Sequence, residues 1–346
     1  MAWRRCRISV RYGDQSGQLR EIRVTCPEQS RWSFSSQQAT LRRLDKAFSG
    51  YFLRVQAGQK PGFPRFRSER RWNSVEWPRD GDGCRFKPEH RQVYLKGVGT
   101  LKLSMHRSVE GIVKTISVKR EGRRWFLLLC CDRVPTRPLP ATGAAVGIDL
   151  GITAFIATSD AELVANPRHG RKAAGRLALA QQNLARKRPG SRNRRSQREV
   201  VANRHRKVAN QRRDFHHQLA RQLVDRYDLL VMEKLRVKNL TRSSSSAPHV
   251  RATNVAAKRA LNRSILDAGW AAFTKVLTDK AEEAGRQVVT VNPQYTSQIH
   301  WKCGLRGDRD GAFFWCPHCT LSEHADLNAA RNILRAGLAP PAATAA

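Results

Sequence analysis

Three acids and one Cys/His cluster supply the residue types in this 346-residue chain that could do chemistry. Asp149 stands inside Val146-Gly-Ile-Asp-Leu150, an apolar run where a carboxylate is costly unless a cation or an open mouth compensates it. Glu233 follows the apolar run Asp228-Leu-Leu-Val-Met232, and Asp326 opens the helical pattern Ala325-Asp-Leu-Asn-Ala-Ala-Arg-Asn-Ile-Leu334. Taken alone, each acid reads more readily as a solvated or helix-capping residue. Held together they would repel, and hard divalent cations with oxygen ligands are the usual remedy. Two Mg²⁺ ions on such a triad would clamp the attacking water and the leaving oxygen of a phosphodiester, which is nuclease chemistry.

The eight cysteines are Cys6, Cys26, Cys84, Cys130, Cys131, Cys303, Cys316 and Cys319, and only the last three cluster. In a reducing compartment that pattern reads as metal binding rather than a disulfide framework. His300-x-x-Cys303 and Cys316-x-x-Cys319 are two short chelating turns separated by twelve residues, a spacing that fits tetrahedral Zn²⁺. Four protein ligands make such a site structural rather than catalytic, with His318 and His324 as rivals for the His position.

Rigid elements must hold these residues. Residues 1–30 alternate apolar and polar positions around Gly13-Asp-Gln-Ser-Gly17 and predict an N-terminal hairpin. Residues 31–140 predict a β-rich lobe: a capping box at Ser35-Ser-Gln-Gln38 opens a helix over about 36–52, and short strands follow that fit a small antiparallel barrel or sandwich. Trp72, Trp77 and Phe86 in that lobe could stack on bases or fill its core. Residues 135–140, rich in proline, read as a linker.

An α/β domain is predicted over 141–292. Its central buried strand carries Asp149 and pairs with the run at 154–157, and a basic helical hairpin over 171–213 breaks at Pro189-Gly190. Leu261, Ile265, Leu266, Trp270, Phe273, Val276 and Leu277 predict one amphipathic helix, and 287–291 a further strand. The metal-binding segment spans 293–324, the last helix 325–337, and 338–346 forms a disordered tail; Ser243 to Ser246 mark a flexible loop.

The formal net charge is +36, from 64 Lys and Arg against 28 Asp and Glu. A polyanion is the partner that most simply offsets such a surplus, which disfavours a small-metabolite enzyme. Between positions 168 and 213 sixteen Lys and Arg face Glu199 alone. Arg186, Lys187, Arg188, Arg192, Arg194, Arg195, Arg198, Arg204, Arg206 and Lys207 are therefore expected to track phosphates. No run approaches the roughly 20 apolar residues of a membrane span, and no apolar stretch follows the first charges as in a signal peptide. A cytoplasmic location, on DNA when bound, is the expectation.

Gly147-Ile-Asp149-Leu-Gly151, Val231-Met-Glu233-Lys-Leu235 and Asp326-Leu-Asn328-Ala-Ala-Arg-Asn332 resemble, in this order, the three motifs of a RuvC-like, RNase H-fold nuclease. Asn262-Arg-Ser-Ile-Leu-Asp-Ala-Gly-Trp270, Pro293-Gln-Tyr-Thr-Ser-Gln298 and, more weakly, Pro61-Gly-Phe-Pro-Arg-Phe66 extend the match. Over about residues 31–337 the chain resembles TnpB proteins, the RNA-guided nucleases encoded by bacterial insertion sequences and related to type V CRISPR effectors. The resemblance implies an α/β RNase H-like (RuvC) nuclease domain with an inserted basic helical hairpin and a zinc ribbon, preceded by a small β-barrel-like wedge domain. It places Asp149, Glu233 and Asp326 on the family's catalytic acids and Mg²⁺ ligands, and Cys303, Cys316 and Cys319 on three of its zinc ligands. It also implies a guide RNA from the element end that pairs with target DNA, and no small-molecule substrate or membrane.

Two departures stand out. The family usually has Cys where this chain has His300, a normal Zn²⁺ ligand. Residues 1–30 look unrelated to the longer family start, to which the resemblance assigns reading of the short DNA motif beside the target. An alternative reading is an idle or truncated nucleic-acid-binding regulator derived from a transposon, against which the intact acids argue. A strand-joining recombinase lacks a Tyr or Ser nucleophile context here.

Overall fold

The structure, a computed structural model, describes residues 9–68, 71–242 and 255–339. The run Ser243 to Ser246, residues 1–8 and the tail beyond 339 lie outside the described residues. The chain divides into two compact units, Met1–Pro135 and Thr136–Ala346. The boundary falls at the start of the proline-rich segment because its remainder is stapled to the second unit. There the Leu139 N–H donates to the Ala284 carbonyl at 2.9 Å and Arg286 Nη2 donates to the Pro140 carbonyl at 2.8 Å.

The first unit opens with helices α1 (Tyr12–Thr25), α2 (Pro27–Ser30) and α3 (Phe34–Gln56). This corrects the expected hairpin: the described part of 1–30 is helical. The Arg11 N–H donates to the Asp14 carboxylate at 2.8 Å and starts α1, and the Arg23 guanidinium ties its end to the carbonyls of Gln29, Ser30 and Trp32 at 3.0 to 3.1 Å. No residue of α1 is buried, so the helix has no apolar stripe by which a sequence could announce it. In α3 the N-cap is Ser33, whose Oγ accepts from the Ser36 N–H at 3.3 Å, two residues before the expected capping box.

Strands β1 (Ser74–Trp77), β2 (Cys84–Lys87), β3 (Gln92–Leu95), β4 (Gly99–Lys102), β5 (Ile112–Glu121) and β6 (Arg124–Asp132) form two three-stranded antiparallel sheets, β1-β5-β6 and β2-β3-β4. They share one core of Trp77, Cys84, Phe86, Val93, Leu95 and Ile116. Of the barrel and the sandwich expected here, the two open sheets over one core correspond to the sandwich, since the four-residue strands of β2-β3-β4 offer little of the tilt and stagger that closure needs. Trp77 and Phe86 are core residues, while Trp72 lies between the guanidinium groups of Arg43 and Arg67, 5.1 and 5.5 Å from its ring.

In the second unit β7 (Ala145–Leu150), β8 (Ala154–Thr158) and β9 (Leu163–Ala165) run as an antiparallel meander. Helices α4 (His169–Ala185) and α5 (Arg192–Arg226) form the basic hairpin, and β10 (Leu229–Glu233) joins β7 in parallel. The chain continues through α6 (Val237–Leu240), α7 (Val255–Ala268) and α8 (Trp270–Glu283) to β11 (Gln287–Val291), parallel to β10. The sheet order is β11-β10-β7-β8-β9. The single helix expected over 261–277 is two, because Gly269 adopts φ 73°, left-handed backbone that ends α7 and starts α8.

Three short strands follow, β12 (Asp308–Asp310), β13 (Phe313–Cys316) and β14 (Leu321–His324), and then α9 (Ala325–Leu338). Side-chain alternation sorts the sheet's two faces. Val146, Ile148, Leu150, Leu230 and Met232 enter one core with Leu219 and Leu223 of α5 and Phe273 and Leu277 of α8. Gly147 and Val231 face α9 instead: a Cβ at Gly147 would lie 2.0 Å from the Ala330 carbonyl oxygen, so only glycine lets the helix come this close.

Candidate active site and metal centre

Asp149 and Glu233 share the α9 face with Gly147 and Val231, two residues along each strand. Glu233 stands one step past the Met232 and Ile148 pair in the parallel register, next to Asp149 on strands about 4.8 Å apart. Asp326 lies in the first turn of α9, where a Cβ built at Gly151 would be 3.8 Å from its carboxylate. The fold therefore brings all three acids together. Burial first, then repulsion from Glu233 and Asp326, push the Asp149 carboxyl up to about 7. Burial also raises Glu233, and its hydrogen bond from Thr296 works against that. This is a concentration of negative charge that asks for a cation.

One cation comes from the protein itself. Arg309 on β12 donates from Nη2 to Asp326 Oδ1 at 2.9 Å and opposes the upward shift of Asp149. Its distance in sequence gave no sign of this role. Thr296, in the 293–298 run, has a role that its sequence context does not specify: its hydroxyl donates to Glu233 Oε1, and its carbonyl accepts from Asn332 Nδ2 at 2.9 Å. Asn332 Nδ2 also donates to the Ile299 carbonyl at 2.7 Å, as does Asn328 Nδ2 at 2.8 Å, and Asn328 Oδ1 accepts from the Trp301 N–H at 3.0 Å. Asn328 and Asn332, one turn apart and buried on α9, thus hold the 296–301 strap against the helix that carries Asp326.

The far end of that strap carries the Cys/His cluster. Ligand atoms of His300, Cys303, Cys316 and Cys319 all lie within 4.8 Å of one another. His300 Nδ1 is 3.4 Å from Cys303 Sγ, which is 3.7 Å from Cys316 Sγ. Those edges match a tetrahedron with metal–sulfur bonds of about 2.3 Å and metal–nitrogen bonds of about 2.0 Å. The Leu305 N–H holds the Cys303 thiol down at about 6, whereas its hydrogen bond with Cys303 holds Cys319 up at about 11. Three thiols this close cannot all ionise without a cation, so the donor set fits a metal. His324 is committed elsewhere, its Nδ1 accepting from the Asp326 N–H at 3.2 Å to cap α9, and His318 is not in the cluster.

Of the ten basic residues expected to meet phosphate, eight are exposed and Arg194 and Arg206 are half-buried. Arg194 Nη1 donates to the carbonyls of Leu184 and Lys187 at 2.8 and 2.7 Å, closing the turn between α4 and α5. That is a structural role in the hairpin itself. Among the described residues no helix is long and apolar enough to cross a membrane.

The class so defined is an α/β domain with a half-buried carboxylate triad and a four-ligand His/Cys centre on the neighbouring segment. The family model described as "Probable transposase" matches residues 128–244, and the model "Cas12f1-like, TNB domain" matches 270–333. The chain is 34% identical over 314 residues to a "Putative RNA-guided DNA endonuclease" of Streptomyces pristinaespiralis, covering 88% of this chain and 72% of that one. It is 29% identical over 303 residues to "Putative RNA-guided DNA endonuclease InsQ" of Escherichia coli (strain K12), covering 87% and 73%. The solved "Cryo-EM structure of CRISPR-Cas12f Ternary Complex" is similar at a TM-score of 0.42 and 16% identity, covering 94% of this chain and 75% of that one. The chain belongs to the TnpB family.

Proposed function

We propose that the protein is an RNA-guided DNA endonuclease of a transposable element, with Asp149, Glu233 and Asp326 as its catalytic acids. The observation that carries this reading is their convergence on one face of the sheet from β7, β10 and α9. The meander β7-β8-β9 with β10 and β11 added in parallel supports an RNase H-like (RuvC) domain. Two relatives similar over most of the chain are named as RNA-guided DNA endonucleases.

The acids would hold Mg²⁺, and bound there the ions supply activation of water and neutralisation of the leaving oxygen in phosphodiester hydrolysis. The chain's own groups prepare that centre. Thr296 fixes one oxygen of Glu233, the asparagine pair sets the height of α9, and Arg309 offsets the charge at Asp326. His300, Cys303, Cys316 and Cys319 would hold a structural Zn²⁺. The exposed cations of the α4 and α5 hairpin, Arg186, Lys187, Arg188, Arg192, Arg195, Arg198, Arg204 and Lys207, would grip the phosphates of the guide RNA or its duplex with target DNA.

The test is to co-express the protein with the DNA flanking its gene, sequence the RNA that copurifies, and assay a DNA duplex matching that RNA with Mg²⁺ and with EDTA. Specific RNA and Mg²⁺-dependent cutting of the matching duplex alone are expected. Absence of copurifying RNA, together with cutting indifferent to sequence, refutes guidance.

A further inference from the structure

We propose that Glu323, held by Arg331, is the positioning residue that fixes His300 as a metal ligand, presenting Nδ1 to the ion. The inference rests on the reading that the His/Cys cluster holds Zn²⁺.

His300 is 2% exposed, with its ring stacked on Phe314 at 6.1 Å between centroids and set edge-on to Trp301 at 6.3 Å. Its Nδ1 faces the thiols, 3.4 Å from Cys303 Sγ. A ligating imidazole is neutral and binds through its unprotonated nitrogen, so the ring's one proton then sits on Nε2. In a ring this deeply buried, that N–H needs an acceptor from the protein.

Glu323 Oε1 lies 3.9 Å from Nε2. It is itself buried and has no hydrogen-bond partner. The other carboxylate oxygen, Oε2, is taken by Arg331 Nη1, and the Arg331 guanidinium lies 5.1 Å over the Trp301 ring. The carboxylate is therefore anchored on one side and open on the side of the imidazole. A separation of 3.9 Å is longer than a hydrogen bond, and the proposal requires the ring and the carboxylate to approach by about 1 Å when the ion is bound. Ligating histidines commonly donate their second N–H to a carboxylate in this way, which fixes the tautomer and raises the basicity of the ligand.

A thiolate in place of His300 has no second N–H to orient, and this separates positioning from general packing. Zinc affinity of the full-length protein is measured by competition with a chromophoric chelator for Glu323→Ala, for His300→Cys and for the double substitution. The account expects Glu323→Ala to weaken zinc by about 10 to 100-fold when His300 is present, and to leave affinity nearly unchanged beside His300→Cys. Any damage from leaving Arg331 without its partner appears in both backgrounds and cancels. Glu323→Gln, which keeps an acceptor and the side chain's volume, should fall between; if the alanine variant does not fold, the glutamine pair carries the same comparison. Equal losses in the two backgrounds, or no loss with His300 present, overturn the inference while leaving the zinc site standing. Folded protein that binds no zinc overturns the site and the inference together.

Discussion

At the scale of single residues, the state of Asp149 has a measurable consequence. Its carboxyl titrates near 7 in the fold against 3.8 in an open chain, so between those values the folded protein keeps a proton that the unfolded chain has released. Stability must then fall as pH rises through that window, because the folded state binds more protons. In EDTA the thermal midpoint should drop from pH 5 to pH 7, and Asp149→Asn should flatten the slope and raise the midpoint at pH 7 while removing cleavage. A lower midpoint in the Asn variant would show that the carboxylate is not under repulsion. Thr296 makes a different prediction. Thr296→Val, which keeps the shape but not the hydroxyl that holds Glu233, should raise the half-saturating Mg²⁺ concentration at least about tenfold, with Thr296→Ser close to the unsubstituted protein. Unchanged metal dependence in the Val variant would remove Thr296 from the site. Asp149 was legible in the sequence because a charge inside an apolar run is itself an anomaly. Thr296 and Arg309 were not, since their meaning lies wholly in which carboxylate the fold brings to them.

At the scale of elements, α9 is the part on which the site depends, because it carries Asp326, clamps the 296–301 strap and crosses β7 at Gly147. Gly147→Ala would press a methyl into backbone, and overpacking of that kind should cost about 3 kcal/mol or more, read as a lower midpoint in denaturant and accompanied by loss of cleavage. A variant with unchanged stability would mean that the helix sits farther from the strand. The strands bearing Asp149 and Glu233 could be read because burial on both faces writes a continuous apolar run. α1 could not, because it buries nothing, and its Gly13 and Gly17, read as turn residues, sit within the helix. The break at Gly269 was hidden by apolar periodicity that continues across it, and the choice between barrel and sandwich in the first unit stayed open because strand patterns do not say which strands pair.

At the scale of the whole molecule, the chain carries +36 while the residues of its candidate centre are negative. Positive surface and acidic centre are complementary if the first holds a polyanion and metal ions complete the second. Replacing Arg186, Lys187 and Arg188 by Ala should weaken guide-RNA binding and make the slope of log affinity against log salt shallower by about 2 to 3, as each lost phosphate contact removes about 0.7 to 0.9. An unchanged slope would place the RNA elsewhere. The central claim, that Asp149, Glu233 and Asp326 form one metal-dependent nuclease centre, is tested most directly by single Ala substitutions of each in the guide-loaded protein, assayed on a matching duplex with Mg²⁺. All three variants should keep their RNA and their zinc and cut no more than the EDTA control; cleavage surviving in any one of them would contradict the assignment.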